Sequence, residues 1–142
     1  MAGRATFGGL QVGDTYELCE GPLSRTDFVR YAGASGDFNP NHHDEVFARA
    51  SGFPSVFAMG MVQGGLLARM LTDWLGAGSL RHFRVRFTAQ LWPGDTVVCR
   101  GRVVEKREEG GLGLVEIEAN ALNQKGETLI KGSATAALAL AG

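Results

Sequence analysis

Residues Met59 to Leu75 read MGMVQGGLLARMLTDWL, a run in which only Gln63, Arg69, Thr72 and Asp73 are polar. A stretch this long is a helix of several turns, and apolar side chains around nearly its whole circumference call for burial on most sides. Gly60, Gly64 and Ala68 recur every four residues. That spacing lays small residues along one helical stripe and lets another backbone approach closely. Each interior glycine costs about 1 kcal/mol relative to alanine, so close packing or function must compensate. As a bilayer span the wider run from Val56 to Leu75 is poor, because Gln63, Arg69 and Asp73 interrupt it.

Downstream the period changes to two. Phe83, Val85, Phe87, Ala89 and Leu91 alternate with Arg84, Arg86, Thr88 and Gln90, the pattern of a strand with one buried and one wet face. Pro93-Gly94-Asp95 makes a turn. A second strand carries Val97, Cys99, Gly101 and Val103 on one face, and a turn near Gly110-Gly111 leads to a third with Val115, Ile117, Ala119 and Ala121. After a turn at Asn123 to Gly126, a last strand runs from Thr128 to about Leu140, with Ile130, Gly132, Ala134, Ala136 and Leu138 in register. Upstream, a strand is expected around Thr15 to Cys19. Ser24, with Asp27 three residues on, caps a helix that ends near Gly33 to Gly36. Asp44 caps a short helix stopped by Gly52 and Pro54. A sheet face and so apolar a helix must bury each other. The expected class is α+β, an antiparallel sheet wrapped around a long central helix.

At 142 residues the chain reads as a single domain, 1–142, with a flexible glycine-rich lead-in over 1–10. That lead-in lacks the apolar core of a secretory signal, and a cytoplasmic protein is expected. A net charge of -1 gives no global field to attract nucleic acid or an anionic membrane. Cys19 and Cys99 have no metal-ligand spacing and are expected to be buried, reduced thiols; no metal or organic cofactor is expected.

The chemistry-bearing stretch is Tyr31-Ala-Gly-Ala-Ser-Gly-Asp37-Phe-Asn39-Pro40-Asn-His42-His43-Asp44. It places a carboxylate, an amide, a proline and an imidazole in a loop released by Gly33 and Gly36. Pro40 fixes its own φ and disfavours helix at Asn39, so the loop is held in a bend. A bend is required, because an Asp and a His five residues apart do not face one another on a straight helix or strand. Imidazole suits proton transfer near neutral pH, and a carboxylate beside it can orient the ring or share a water. Taken alone, such a loop is more often an Asx-type turn with a solvated histidine.

The full string resembles the signature of the MaoC-like family, the (R)-specific enoyl-CoA hydratases, in which an aromatic residue and a small-residue run precede Gly/Glu-Asp-x-Asn-Pro-x-His. The resemblance continues through Asp44-Glu-Val-Phe-Ala-Arg-Ala, Gly52-Phe53 and Ala58-Met59-Gly60-Met61, and more weakly through Thr72 to Gly76, Arg84 to Thr88 and Pro93-Gly94-Asp95. It implies a hotdog fold and an acyl thioester substrate of coenzyme A or an acyl carrier. Asp37 and His42 match the catalytic dyad, Asn39 the bracing amide, and Gly60 the glycine whose N–H polarises the thioester carbonyl. Met59, Met61 and Met70 pack in the core or line an acyl tunnel. Arg84 and Arg86 either meet phosphates of coenzyme A or an acidic carrier, or form a solvated sheet face. His43 is offset from the motif, and His82 is expected at a strand end. Three departures stand out: Met59 for a frequent His, Asn41 for an apolar residue and Ala68 for an occasional Ser. The implied activity is hydration and dehydration. The alternatives are a hotdog thioesterase using Asp73 and a non-catalytic acyl-binding subunit. The implied partner is an identical chain or a second hotdog chain lacking the dyad. This chain resembles the dyad-bearing member of two-chain dehydratases.

Overall fold

The computed structural model describes residues 4–140. Strand β1 (Thr15–Glu20) precedes α1 (Arg25–Ser35) and α2 (Glu45–Ala50), then the long α3 (Gly60–Leu75) and strands β2 (Leu80–Phe87), β3 (Val97–Glu109), β4 (Leu112–Leu122) and β5 (Thr128–Ala139). The strands form one sheet in the order β1-β3-β4-β5-β2, with every neighbouring pair antiparallel. The alternation sets the register. Gly101 lies opposite Ala119 and Ala119 opposite Gly132, so the small residues of three strands line up where α3 crosses.

The core is the contact between the inner sheet face and one side of α3. Leu67, Met70 and Leu71 are fully buried, and the Trp74 ring stacks on Tyr16 with centroids 5.6 Å apart. Gly101 makes this approach possible, since a Cβ there would lie 2.9 Å from the Trp74 ring and 3.2 Å from the end of Met70. Gly101→Val is expected to overpack this layer by about 2 kcal/mol. A thermal melt checks it, the expected drop in Tm being roughly 8 °C for a domain of this size.

The α3 helix is less enclosed than its composition suggests. Met61, Gly65, Arg69 and Asp73 form an exposed line at four-residue intervals. The sheet covers one side only, and Arg69 reaches Glu20 at 3.0 Å and Asp73 at 3.5 Å across the open side. Nor does a backbone occupy the stripe of small residues: the Phe87 ring lies over Gly60, 3.1 Å from where a Cβ would stand.

The expected strand Phe83 to Leu91 begins earlier, at Leu80, and leaves the sheet after Phe87. Its partner supplies the reason. Phe87 pairs with Ile130, β5 begins at Thr128, and beyond it the Asn123–Gly126 turn offers no ladder. Residues 88–91 instead cross to the start of α3, where Ala58 N–H donates to Leu91 O at 2.9 Å.

The lead-in over residues 4–10 is packed. Ala5 N–H donates to Trp74 O at 3.0 Å, Leu10 is 5% exposed, and Lys106 holds the carbonyls of Phe7 and Leu10. Residues 1–3 lie outside the described residues. Only one cysteine is buried. Cys99 faces inward opposite Leu18, and burial pushes its thiol up to about 12; Cys19, opposite Val98, faces outward and is exposed. Among the described residues no helix is long and apolar enough to cross a membrane.

Candidate active site

Helix α1 begins with a capping box between Ser24 and Asp27, which holds the Asp27 carboxyl below its ordinary value through the Ser24 backbone and hydroxyl. It ends at Gly36, whose φ of 76° is the left-handed conformation that releases the chain. The loop that follows is braced by its own side chains. Asp37 Oδ1 accepts from Asn39 N–H at 3.3 Å, and Asn39 Oδ1 from Asn41 N–H at 3.0 Å. Pro40 opens a single 3-10 turn, Pro40–His42, and its carbonyl accepts from His43 and Asp44 N–H. Asp44 then caps α2 through Val46 and Phe47. Short polar side chains thus satisfy the backbone at each step, and the chain doubles back over five residues.

That reversal brings Asp37 and His42 together. His42 Nε2 lies 3.9 Å from Asp37 Oδ2. The gap exceeds a hydrogen bond and has the width that one bridging water can close. His42 is 9% exposed, while Asp37 is open to solvent. His42 Nδ1 sits 2.8 Å from Phe57 O, and the ring packs edge-on against Phe57 with centroids 5.0 Å apart. A carbonyl can only accept, so Nδ1 carries the hydrogen and Nε2 keeps its lone pair for the side facing Asp37.

Phe57 also donates its N–H to Asn41 O at 3.3 Å. The loop is therefore tied at two points to the segment that enters α3. Met59, at φ -57° and ψ 134°, ends that segment without a side-chain cap. Val62 N–H turns back to Met59 O at 2.9 Å, but among the described residues the N–H groups of Gly60 and Met61 have neither an intrahelical acceptor nor a capping oxygen, and they carry the positive end of the helix dipole. A cleft of about 260 Å³ opens there, lined by Phe57, Gly60, Gln63, Phe87, Thr88 and Gln90. A larger depression of about 510 Å³ lies on the outer sheet face against Glu17, Arg100, Arg102 and Glu118. Neither the loop nor α3 reaches it. Its walls are the ion pairs Glu17–Arg100 and Arg102–Glu118, whereas the smaller cleft is lined by the first residue of α3 and by Phe57, to which the loop is tied.

The other residues singled out in the sequence lie as follows. Met59 is 1% exposed and Met70 fully buried, both in the core; Met61 is 48% exposed and folds over Gly64. Arg84 and Arg86 stand exposed on the outer face with Lys131, away from the dyad. His43 and His82 are exposed, and Asp73 pairs with Arg69. Among the described residues no group of three or more His, Cys, Asp and Glu side chains is placed to hold a metal ion. Sequence reading did not single out two residues that the fold brings to the cleft. Phe57 acts through its carbonyl, which no side-chain pattern announces; Gln63 had a signal, as an uncharged polar residue inside an apolar helix.

The profile of the MaoC like domain matches residues 9–125. The chain belongs to the MaoC-like domain family. Its relatives include hydratases and dehydratases. This MaoC-like chain is 31% identical over 130 residues to 3-hydroxybutyryl-CoA dehydratase of Methylorubrum extorquens, covering 88% of this chain and 82% of the relative. It is 30% identical over 103 residues to the 3-oxo-4,17-pregnadiene-20-carboxyl-CoA hydratase beta subunit of Mycobacterium tuberculosis, covering 72% and 77%. The R-hydratase PhaJ1 of Pseudomonas aeruginosa superposes with a TM-score of 0.84 at 26% identity, over 94% of this chain and 85% of that one. The chain also matches the fatty acid synthase subunit beta of Aspergillus oryzae, of which it spans 4%. The five-stranded sheet around α3 is the hotdog fold of these hydratases.

Proposed function

We propose that this MaoC-like chain is a hydro-lyase that interconverts trans-2-enoyl and (3R)-3-hydroxyacyl thioesters. The observation that carries the reading is the position of His42: Nδ1 held by Phe57 O, Nε2 facing Asp37 across 3.9 Å, and the entry to α3 joined to the same loop. The R-hydratase and dehydratase relatives support the reaction class and the R configuration.

In the proposed hydration, Asp37 and Nε2 hold one water. As its oxygen bonds to C3, the water loses a proton to Nε2, and the C2–C3 π electrons move onto the thioester carbonyl. The resulting enolate oxygen is stabilised by Gly60 N–H at the helix start. Nε2–H then delivers its proton to C2 as the carbonyl re-forms. Since Nδ1 keeps its hydrogen throughout, one nitrogen both takes and returns the proton, while Asp37 orients the water and offsets the imidazolium charge. The step draws on no metal or organic cofactor; coenzyme A or a carrier belongs to the substrate. Crotonyl-CoA tests the reading: loss of enoyl absorbance without thiol release is expected, whereas thiol release would indicate a thioesterase. Asp73 gives that alternative no support, because it stands about 20 Å along α3 from Gly60 and is paired with Arg69.

Arg84 and Arg86 belong to this reading as a phosphate contact. Arg86 lies directly opposite Lys131, and Arg84 projects from the same strand into the same shallow site. Like charges facing across strands are destabilising, and phosphates would offset that repulsion. The double variant Arg84→Ser/Arg86→Ser is expected to raise KM for crotonyl-CoA several-fold at low salt, an effect that added salt erases. The KM for a crotonyl thioester lacking phosphate should stay unchanged. For assembly we propose pairing with a second hotdog chain, identical or different. The open edge of β2 and the relative named as a beta subunit support it.

A further inference from the structure

Gln63 is 1% exposed, its Oε1 has no hydrogen-bond partner among the described residues, and its side chain lines the cleft at Gly60. A buried carboxamide oxygen without a donor costs about 1–3 kcal/mol. Methionine, of similar length and volume, would fill the same space without that cost. The carboxamide therefore makes sense as an acceptor for a donor that arrives with a ligand.

The chemistry of the substrate narrows that donor. Gln63 follows Gly60 by three residues, so the two lie on one helix face about 4.5 Å apart along the axis. A thioester whose carbonyl meets Gly60 N–H thus presents Gln63 with atoms only a few bonds from that carbonyl. In a trans-2-enoyl thioester of coenzyme A or a carrier arm, the carbonyl oxygen, the sulfur and the alkene offer no hydrogen to donate. The hydroxyl of the (3R)-3-hydroxyacyl form takes the place of the water held by Asp37 and His42, so the nearest donor left for Gln63 is the amide N–H two methylenes beyond the sulfur. Thr88 and Gln90 at the rim of the cleft add polar wall beside the Phe57 and Phe87 rings, a lining that suits an amide-bearing arm better than a hydrocarbon tail. Resting on the hydratase reading, we propose that Gln63 is a positioning residue that accepts, at Oε1, the N–H of the amide nearest the thioester sulfur.

Two small substrates isolate this contact: the crotonyl thioester of N-acetylcysteamine, which keeps the N–H, and that of 2-mercaptoethyl acetate, in which oxygen replaces it. The wild-type protein is expected to use the amide about ten-fold more efficiently in kcat/KM, chiefly through KM, as follows from about 1.4 kcal/mol for one hydrogen bond. In Gln63→Met the ratio should fall to within two-fold, while the Tm of the ligand-free protein rises. A wild-type ratio near one overturns the assignment and leaves hydration standing, whether or not the variant folds. So does a ratio that survives in Gln63→Met, or a lowered Tm, which would mean the protein itself satisfies the carboxamide. If the wild-type protein consumes neither thioester nor crotonyl-CoA, the hydratase reading fails and this assignment fails with it.

Discussion

Asp37→Asn and His42→Ala are each expected to lower kcat/KM for hydration of crotonyl-CoA by about a thousand-fold, the usual worth of a positioned acid/base group. The two variants should differ in stability. Asp37 is exposed and among the described residues its side chain accepts only a 3.3 Å contact from Asn39 N–H, so Asp37→Asn should melt within a few degrees of the parent. His42 is buried and holds Phe57 O at 2.8 Å, so His42→Ala should lose about 1–2 kcal/mol. Because both groups act on one water, the double variant should be scarcely slower than the worse single one. Rates measured well below each variant's Tm separate chemistry from unfolding. Near-parental turnover in the double variant would remove the dyad from the mechanism.

The second large effect concerns the entry to α3. Gly60→Pro deletes the N–H proposed to hold the carbonyl while keeping the helix, since proline suits the first helical position and Met59, at ψ 134°, already has the extended conformation that a following proline requires. Gly60→Ala keeps the N–H and adds only a Cβ, 3.1 Å from the half-exposed Phe87 ring, which can turn aside. The alanine variant should retain activity within about ten-fold, and the proline variant should fall about a hundred-fold further, in line with loss of one oxyanion donor. Equal activity in the two would show that this amide does not meet developing charge.

Much of this architecture was legible in the sequence where one physical signal acted alone. The period-two runs of β3 and β4 gave their inward faces, because each strand buries one side only; Val97, Cys99, Gly101 and Val103 all lie on the buried face. The Ser24–Asp27 cap and the Gly36 stop were visible for the same reason: caps are local chemistry. Legibility failed where the outcome depends on a partner distant in sequence. Ala89 and Leu91 continue the alternation of β2, yet the chain leaves the sheet because β5 has not begun there. Phe7 and Leu10 look like a loose lead-in until Lys106, a hundred residues on, holds their carbonyls. At the site, the motif singled out Asp37 and His42, which the fold sets 3.9 Å apart, but the group that decides which imidazole nitrogen carries the hydrogen is a main-chain oxygen.

That oxygen also links two parts of the site by length alone. Phe57 grips the imidazole with its carbonyl and the preceding loop residue with its amide, and the helix opens three positions later. The interval from 57 to 60 is in effect a ruler between the proposed proton carrier and the proposed carbonyl clamp. Ala58 and Met59 could be exchanged for other apolar residues, but a residue gained or lost would shift the clamp by up to about 3.5 Å, more than any hydrogen bond tolerates. Divergence in this segment is therefore open in identity and closed in number.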